Sequence, residues 1–267
     1  MRIYKNRECG FSRALSGVLG VCVLGAAQVS TAAETWEYSI TPYFFAAAID
    51  ATVGVGNVET DVDLDASDVL ENTESGFMAM MSARNGDWVV ALDASYFQLK
   101  DGESSSVTGP FGRTAADGTV ELTNRQWVYQ PMVGQRVLDD TLKMDIYGGL
   151  RYTRLRANLD VAIDTSLVRF PGDSSSFKSE KDWTDYVMGA HLDYAINQQW
   201  SLTGLVDWGM GRYSDLSYQF LAAVQWHFQP QMAASLGYRV LHQEYEEDRF
   251  SWDVTYSGLV LGLGFGF

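Results

Sequence analysis

The ten residues from Gly258 to Phe267 constrain the fold of this chain more than any other segment. One face of the corresponding strand carries large apolar side chains at Leu259, Leu261, Leu263, Phe265 and Phe267. The other face carries valine or glycine, with Gly262 near its centre. Such a strand suits the wall of a closed barrel in a bilayer, where outward positions meet lipid and inward positions meet the lumen. The central strand of a soluble sheet is the alternative interpretation.

The first 33 residues have the features of a cleavable secretory signal. Basic residues come first, an apolar stretch covers residues 14–27, and small residues follow up to Ala32 and Ala33. This stretch is shorter than the roughly 20 residues that a membrane-spanning helix needs. Cleavage after Ala32 or Ala33 is therefore predicted, which leaves residues 34–267 as a single barrel domain.

The positions of the cysteines and the net charge limit which compartment and which partners are expected for the mature chain. Cys9 and Cys22 both lie in the predicted signal, so the mature chain has no thiol, which fits export through an oxidising periplasm. The formal net charge of −15 disfavours nucleic acid as a partner. Aromatic residues make up 13% of the chain, as in barrels with aromatic girdles and a wet interior.

Period-two alternation predicts an antiparallel transmembrane β-barrel with about ten strands, although eight or twelve are also compatible with the pattern. The first strand runs from Trp36 to Ala47, and Asn85-Gly86 joins the second and third as a hairpin turn. Connections alternate between short turns and long polar segments near residues 48–73, 101–117 and 164–181. Short turns belong to the periplasmic side, so both ends of the mature chain are expected there. The first long connection is expected to carry an extra hairpin and a helical turn near Asp68 to Asn72.

Charged residues of both signs alternate with the apolar face and are predicted to point into the lumen. They are Glu37, Arg84, Asp93, Arg136, Asp145, Arg151, Asp193, Asp207 and Arg239. Two interpretations remain: a polar conduit whose selectivity these side chains set, or ion pairs that fill a closed lumen. A barrel of about ten strands has little more interior than an eight-stranded one, which favours the filled lumen.

Catalytic and metal sites are poorly supported by the sequence. His191 shares a face with Asp193 and His227 also points inward, but no serine lies at a spacing typical of a nucleophile, so no enzyme activity is expected. The acidic segment 61–74 lacks the glycine and spacing of a helix-loop-helix calcium loop. Neither a specific metal site nor a cofactor is predicted. Loose divalent cations bridging the acidic outer loops to lipopolysaccharide phosphates remain a hypothesis.

Several segments together carry a resemblance to a known family. They are Thr41-Pro42-Tyr43, the SDVLEN segment at residues 67–72, the YGGLRY segment at residues 147–152, Gly237-Tyr238-Arg239 and the Gly-Leu-Phe end. With these segments the chain resembles a family of uncharacterised proteobacterial outer-membrane β-barrel proteins, porin-like or opacity-like. The resemblance covers nearly all of the mature sequence and implies a Gram-negative outer-membrane location. It brings no substrate, cofactor or catalytic residue.

The alternating end at Leu259, Leu261, Gly262, Leu263, Phe265 and Phe267 also resembles the assembly signal of bacterial outer-membrane barrels. This second resemblance implies the barrel-assembly machinery and periplasmic chaperones as partners during export, and outer-membrane lipid and lipopolysaccharide afterwards. The expected role is a structural or surface-interaction barrel with a side-chain-filled lumen. A narrow pore for small solutes or ions is the alternative, and an outer-membrane hydrolase is the least supported.

Overall fold

A computed structural model describes residues 36–55, 58–108, 114–165, 173–247 and 250–267. This part of the chain forms β-strands and one short helix, α1 (Ala66–Glu71). The strands are β1 (Glu37–Val55), β2 (Val58–Leu64), β3 (Thr73–Asn85), β4 (Trp88–Thr108), β5 (Thr114–Asp139), β6 (Leu142–Thr165), β7 (Asp173–Ala195), β8 (Trp200–Gly211), β9 (Ser217–Gln229), β10 (Met232–Glu247) and β11 (Phe250–Gly266). The predicted signal peptide and its cleavage positions Ala32 and Ala33 lie outside the described residues.

Ten of the strands, β1 and β3 to β11, close into an antiparallel barrel. Each pairs with its neighbour along the chain, and β11 pairs with β1 from Ser39↔Gly266 to Val55↔Phe250. At the seam, the backbones of Tyr38 and Phe267 exchange two hydrogen bonds of 3.0 Å. The predicted all-β fold and its strand number of about ten are confirmed, and the Gly258 to Phe267 segment is the closing strand.

The first long connection carries the extra hairpin and the helical turn that the sequence predicts. Beyond the barrel wall, β1 pairs with β2 from Ile49↔Leu64 to Val55↔Val58. The helix α1 follows at once and has Asp68 in its first turn, where a negative charge is favourable near the helix N-terminus. After α1, the Thr73 hydroxyl donates a hydrogen bond to the carbonyl of Val69.

Tight turns join the strands at the end of the barrel where β1 begins and β11 ends. Gly86, at the Asn85-Gly86 turn, has φ of 54°, a conformation that glycine adopts without strain. In another turn, the Asn197 side chain accepts hydrogen bonds from the backbone N–H groups of Gln199 and Trp200. The predicted short turns therefore share one end with the seam, as the periplasmic assignment requires.

Two of the predicted polar loops are instead largely strand. The β4–β5 ladder continues to Thr108↔Thr114, and the β6–β7 ladder continues to Ile163↔Asp173. The prediction of loops over residues 101–117 and 164–181 was therefore wrong for most of their length. Above the membrane neither face of a strand has to be apolar, so the periodic signal disappears from the sequence while backbone pairing continues.

The outward face of the barrel is apolar over the membrane-spanning part of the strands. Leu259 and Leu261 of β11 are 55% and 54% exposed, whereas Val260 between them is buried. Aromatic residues lie at both edges of this band. Near the tight turns they are Trp36, Tyr38, Trp88, Tyr194, Trp200, Trp226 and Phe267, and towards the outer end they are Tyr96, Trp127, Tyr129, Tyr152, Tyr186, Trp208 and Tyr218. No helix within the described residues is long and apolar enough to cross a membrane.

Candidate functional site

The lumen contains the charged residues that the sequence predicts, but they form separate groups at different depths. Asp145 lies between Arg84 and Arg136 near the periplasmic end. Arg151 pairs with Asp207 in the middle of the barrel, and Arg239 pairs with Asp93 close by.

A cavity of about 790 Å³, called the vestibule below, occupies the periplasmic part of the lumen. Residues of the barrel mouth line it, including Glu37, Gln231 and Phe267, so it opens towards the periplasm. Arg84 Nη2 donates to Asp145 Oδ2 at 2.5 Å, and Arg136 Nε donates to Asp145 Oδ1 at 2.6 Å. The predicted side-chain filling therefore does not extend to this part of the lumen.

The two remaining predicted carboxylates also lie along the vestibule. Glu37 is exposed at the mouth, and Asp193 is partly exposed with Oδ2 at 3.5 Å from His191 Nδ1. Neither belongs to the ion pairs in the middle of the barrel. Both carboxylates are in contact with water, so their charges do not require a fixed cationic partner.

A layer of fully buried polar side chains separates the vestibule from the outer half of the lumen. Arg151 from β6 and Asp207 from β8 are 0% and 1% exposed and form a direct hydrogen bond. Gln130 Nε2 and the Tyr147 hydroxyl donate to Asp207 Oδ2 at 2.8 and 3.0 Å. Arg151 also donates to Gln130 Oε1 and to Ser217 Oγ, each at 2.9 Å. The buried charges are thus paired and hydrogen-bonded, the arrangement that makes burial of charge tolerable.

Arg239 on β10 holds a second part of the same layer. Its Nη2 donates to Asp93 Oδ2 at 2.9 Å, and its Nη1 donates to the Tyr43 hydroxyl at 2.7 Å. The guanidinium also lies over the rings of Tyr43 and Phe45, 5.6 and 5.7 Å from their centroids. This contact places a charged group against apolar aromatic faces and stabilises it by cation–π attraction.

An uncharged polar layer comes next in the outward direction. Gln126 on β5 donates to Gln243 Oε1 on β10 at 3.0 Å, across the full width of the barrel. Gln243 in turn donates to Thr153 Oγ1 at 2.6 Å, and the Tyr256 hydroxyl donates to Gln126. Gln126, Gln243 and Thr153 are each 0% exposed. Together with the Arg151 group, they form a continuous set of solvent-inaccessible polar side chains at this depth.

Apolar side chains fill the outer part of the lumen. One cluster contains Ile49, Leu241, Val254 and Tyr256 with Val69 of α1, and a second packs Leu155, Trp183 and Tyr245 together. In the second cluster the rings of Trp183 and Tyr245 contact each other at a tilt of 39°, with centroids 4.7 Å apart.

At the rim of the second cluster, Lys181 Nζ donates to Glu247 Oε2 at 2.9 Å, and the Tyr245 hydroxyl donates to the same oxygen at 2.6 Å. The hydrogen bond from Lys181, followed by that from Tyr245, lowers the pKa of Glu247 below its ordinary value.

Asp185 is a buried carboxylate that the predicted lumen network did not include. Asp185 lies on β7 and is 0% exposed. Ser217 on β9 is also 0% exposed. Among the described residues, neither carboxylate oxygen of Asp185 has a hydrogen-bond partner. Its position on the inward face of β7 is visible in the alternation, but its complete burial depends on neighbours from other strands.

Two hydroxyl–imidazole pairs in the vestibule were also missed by the sequence analysis. Ser201 Oγ lies 2.9 Å from His227 Nε2, and Thr203 Oγ1 lies 3.1 Å from His191 Nε2. Both pairs form between neighbouring strands, so sequence spacing does not show them. His191 Nδ1 is 3.5 Å from Asp193 Oδ2 and 3.8 Å from Asp145 Oδ2.

His242 differs from the other two histidines in its position. It faces outward near the outer end of β10. Its ring stacks on Tyr218, with centroids 4.8 Å apart, and its Nδ1 is 3.0 Å from Thr255 Oγ1. Within the described ranges, no group of three or more His, Cys, Asp or Glu side chains is arranged to hold a metal ion.

Comparison with known proteins gives the fold. No family model and no curated protein sequence matches the chain. Among solved structures, the outer membrane protease OmpT from Escherichia coli matches with a TM-score of 0.56 and 9% identity, over 90% of this chain and 99% of that one.

Other outer-membrane barrels match more weakly. The attachment invasion locus protein Ail of Yersinia pestis has a TM-score of 0.32 and 14% identity, over 86% of this chain and 98% of that one. The translocator domain of the autotransporter NalP from Neisseria meningitidis has a TM-score of 0.39 and 14% identity, over 86% and 88%. The closed fold, the outward apolar band and the aromatic residues at its two edges make this chain an integral β-barrel of the Gram-negative outer membrane.

Proposed function

We propose that this protein is a non-enzymatic structural or surface-interaction barrel whose lumen does not conduct. The observation that carries the proposal is the buried layer of Arg151, Asp207 and Gln130, continued by Gln126 and Gln243. Each of these side chains is 1% exposed or less. A solute crossing this depth would have to break several buried hydrogen bonds and separate a desolvated ion pair, which is costly.

Planar-bilayer conductance tests the closed lumen. The folded wild-type barrel is expected to give no steady current at any voltage. A double variant, Asp93→Ala with Arg239→Ala, removes both charges of one ion pair from the layer, so no buried charge loses its partner in this pair, although Tyr43 and Gln219 lose hydrogen bonds. It serves as the variant in which a current can appear. Steady ion-selective conductance in the wild-type barrel would overturn the proposal.

The narrow pore is the alternative function, and the vestibule is the observation that favours it. Arg84, Arg136 and Asp145 line the vestibule, as expected for groups that select ions. In a working pore, Arg136→Gln would change the ratio of anion to cation current. A barrel that carries no current cannot show this change, so the bilayer experiment separates the two functions.

The surface part of the proposal concerns lipopolysaccharide. Arg125, Arg154 and Arg156 lie on the outward face of β5 and β6, beyond the aromatic pair of Trp127 and Tyr129. Arginine is suited to phosphate recognition because its guanidinium presents several donors in a planar fork. A variant with all three changed to Gln is expected to bind lipopolysaccharide vesicles more weakly than wild type, whereas Arg212→Gln is the matched control on another strand connection. Equal binding by the wild type and the triple variant would remove these arginines from the proposal.

Bridging by divalent cations is a separate hypothesis for how the barrel associates with lipopolysaccharide. Acidic side chains at Asp61, Asp63, Glu244 and Glu246 lie in the outer part of the chain. If Mg²⁺ or Ca²⁺ bridges such groups to lipid phosphates, EDTA is expected to weaken vesicle association without a change in the far-ultraviolet circular dichroism of the barrel. Unchanged association in EDTA would count against the bridge.

A further inference from the structure

The barrel wall is incomplete between β1 and β3 at the level of the outer leaflet. The β1–β3 ladder begins at Glu37↔Arg84 and ends at Pro42↔Ala79. Proline has no backbone N–H, so it cannot continue a ladder by donating. Beyond it, β1 remains paired with β11 and then joins β2 from Ile49, while β3 continues towards Thr73 alongside β4. Within the described ladders, residues 43–48 of β1 are therefore paired on the β11 side and not with β3.

A cavity lies in the wall at this gap. Its volume is about 130 Å³, and it is lined by side chains from both faces of the barrel. Phe44 and Phe77 face outward and are 50% and 60% exposed, whereas Ala47, Leu241 and Tyr256 face the lumen and are buried. Val69 and Leu70 of α1 also line this cavity, which we call the lateral pocket.

The depth of the lateral pocket places its mouth in the outer leaflet. Phe77 pairs with Tyr96, which contacts Trp127 in the outer level of aromatic residues, with ring centroids 4.1 Å apart. On the other side of the gap, Phe44 pairs with Leu261 in the lipid-facing band. Unpaired backbone is unfavourable in hydrocarbon, so an opening at this depth is an unusual feature for a barrel wall.

The inner end of the lateral pocket is polar. Arg239, Tyr43 and Gln126 lie there, and Arg239 and Tyr43 also line the vestibule on their other side. Arg239 is 5% exposed, yet its Nε has no hydrogen-bond partner within the described part of the chain. A buried donor without an acceptor is unfavourable, so an acceptor atom supplied by a ligand would stabilise it.

We propose that the lateral pocket binds a small, uncharged, largely hydrocarbon molecule that enters from the outer leaflet and places one hydrogen-bond acceptor next to Arg239. The size follows from the volume, since an apolar cavity of about 150 Å³ holds benzene. The ligand is neutral, because Asp93 already compensates the charge of Arg239 and a carboxylate would lose its hydration among Phe44, Phe77 and Leu241. The Tyr43–Arg239 pair forms the partition between this pocket and the vestibule. The inference does not depend on whether the lumen conducts ions.

The gap itself is tested by disulfide formation in residues 34–267, which contain no cysteine. Ile40 and Met81 are direct partners in the ladder, so the pair Ile40→Cys with Met81→Cys is expected to form a disulfide under mild oxidation. The pair Phe44→Cys with Phe77→Cys would be opposite in a continued ladder and is expected to remain reduced. Efficient cross-linking of the second pair would show a closed wall and would overturn the proposal.

Binding is tested with a variant that fills the lateral pocket. Gly76 lines it, and a Cβ there would meet only the Tyr96 carbonyl oxygen at 3.5 Å, so Gly76→Phe fits the backbone. Gly148→Phe is the matched control, because a Cβ at Gly148 has its nearest contact at 3.8 Å and the residue does not line the pocket. The folded state of each variant is checked by circular dichroism.

The probes are benzaldehyde and toluene, which have similar size but differ in the acceptor, titrated into the detergent-solubilised barrel by calorimetry. Because the lateral pocket is filled in Gly76→Phe, the heats recorded with this variant report the partition of each probe into the micelle. Wild type and Gly148→Phe are expected to bind benzaldehyde at least several-fold more tightly than toluene. Heats equal to those of Gly76→Phe would overturn the site, and equal affinities for the two probes would overturn the role of Arg239.

Crystals soaked with iodobenzene locate the bound molecule. Iodine in the lateral pocket of the wild type, and not of Gly76→Phe, is the expected result. Density for a lipid or detergent alkyl chain that iodobenzene does not displace would assign the pocket to acyl chains and would overturn the small-molecule proposal.

Discussion

The periplasmic and outer halves of this barrel are built from the same strands but differ in their contents and in their wall. The periplasmic half has a continuous wall around the open vestibule, and charged groups such as Arg136 and Asp145 are at its surface. The outer half is filled by apolar clusters and the Gln126 layer, yet its wall is interrupted between β1 and β3. Filling of the lumen and continuity of the wall are therefore separate properties of a barrel.

The comparison also shows where charge is tolerated. Glu37 and Asp193 in the vestibule are at least partly exposed, so a fixed partner for either charge contributes little to stability. Arg151 and Asp207 lie between the two halves with no exposure, so each depends on the other.

The largest effect is expected from breaking that buried pair. Asp207→Asn keeps the shape but leaves Arg151 buried without its partner, which is expected to lower the free energy of unfolding by about 3–5 kcal/mol. Asp193→Asn in the vestibule is the control, with an expected loss below about 1 kcal/mol. Urea unfolding in lipid vesicles, followed by tryptophan fluorescence, measures both. Equal losses would mean that the middle layer is hydrated.

Truncation of the apolar filling should give the next largest difference. Leu241 is 5% exposed in the outer cluster, so Leu241→Ala is expected to cost about 2–5 kcal/mol. Leu221 lines the vestibule and is only partly buried, so Leu221→Ala is expected to cost clearly less. The same unfolding measurement checks this prediction, and a larger loss at Leu221 would contradict it.

A smaller effect is expected at the seam in the periplasmic half. The ring of Phe267 stacks on Tyr38, with centroids 6.1 Å apart and an interplanar angle of 18°. Loss of this contact in Phe267→Ala is expected to cost about 1 kcal/mol in vesicles. If this residue is also part of an assembly signal, the amount of folded barrel in cells should fall much further than this stability loss implies. A matching small decrease in both measurements would argue against the signal.

The smallest effect concerns an exposed ion-pair group in the outer half. Hydrogen bonds from Arg154 and then Arg156 lower the pKa of Glu180 below its ordinary value of 4.5. A lowered pKa in the folded state stabilises the protein above the ordinary pKa, and this contribution is lost as the pH falls through the lowered pKa. Wild type should therefore exceed Glu180→Gln slightly in urea midpoint at pH 7, and the difference should shrink below about pH 4. A difference that does not change with pH would contradict this assignment.

The sequence predicts the wall of the barrel well because lipid imposes a simple rule on every strand. Outward positions such as Leu259 and Leu261 must be apolar, so period-two alternation predicts their orientation and, with it, the inward direction of Arg151 and Asp207. The strand extensions beyond the membrane were not predictable in this way, because water imposes no such rule on residues 101–108.

The lumen contacts were less predictable than the wall. Alternation gives the direction of a side chain, whereas its partner depends on register and on depth across the barrel. Ser201 meets His227 and Gln126 meets Gln243 through strand pairings and widths that no local pattern contains. For the same reason, the gap after Pro42 could not be inferred from the proline alone, since a proline at a strand edge is compatible with a closed wall.

The hydrogen bonds across the lumen have a mechanical consequence. Gln126 and Gln243 join opposite walls, and Arg239 with Asp93 and Arg84 with Asp145 join others, so the cross-section of the barrel is braced in several directions. Between residues 43–48 and β3 the ladder is absent, and the wall there is held by side-chain contacts such as the hydrogen bonds of Tyr43 to Asp93 and Arg239. Side chains, and not backbone pairing, therefore set the spacing of β1 and β3 at this depth, so a substitution in the lumen can alter the barrel wall.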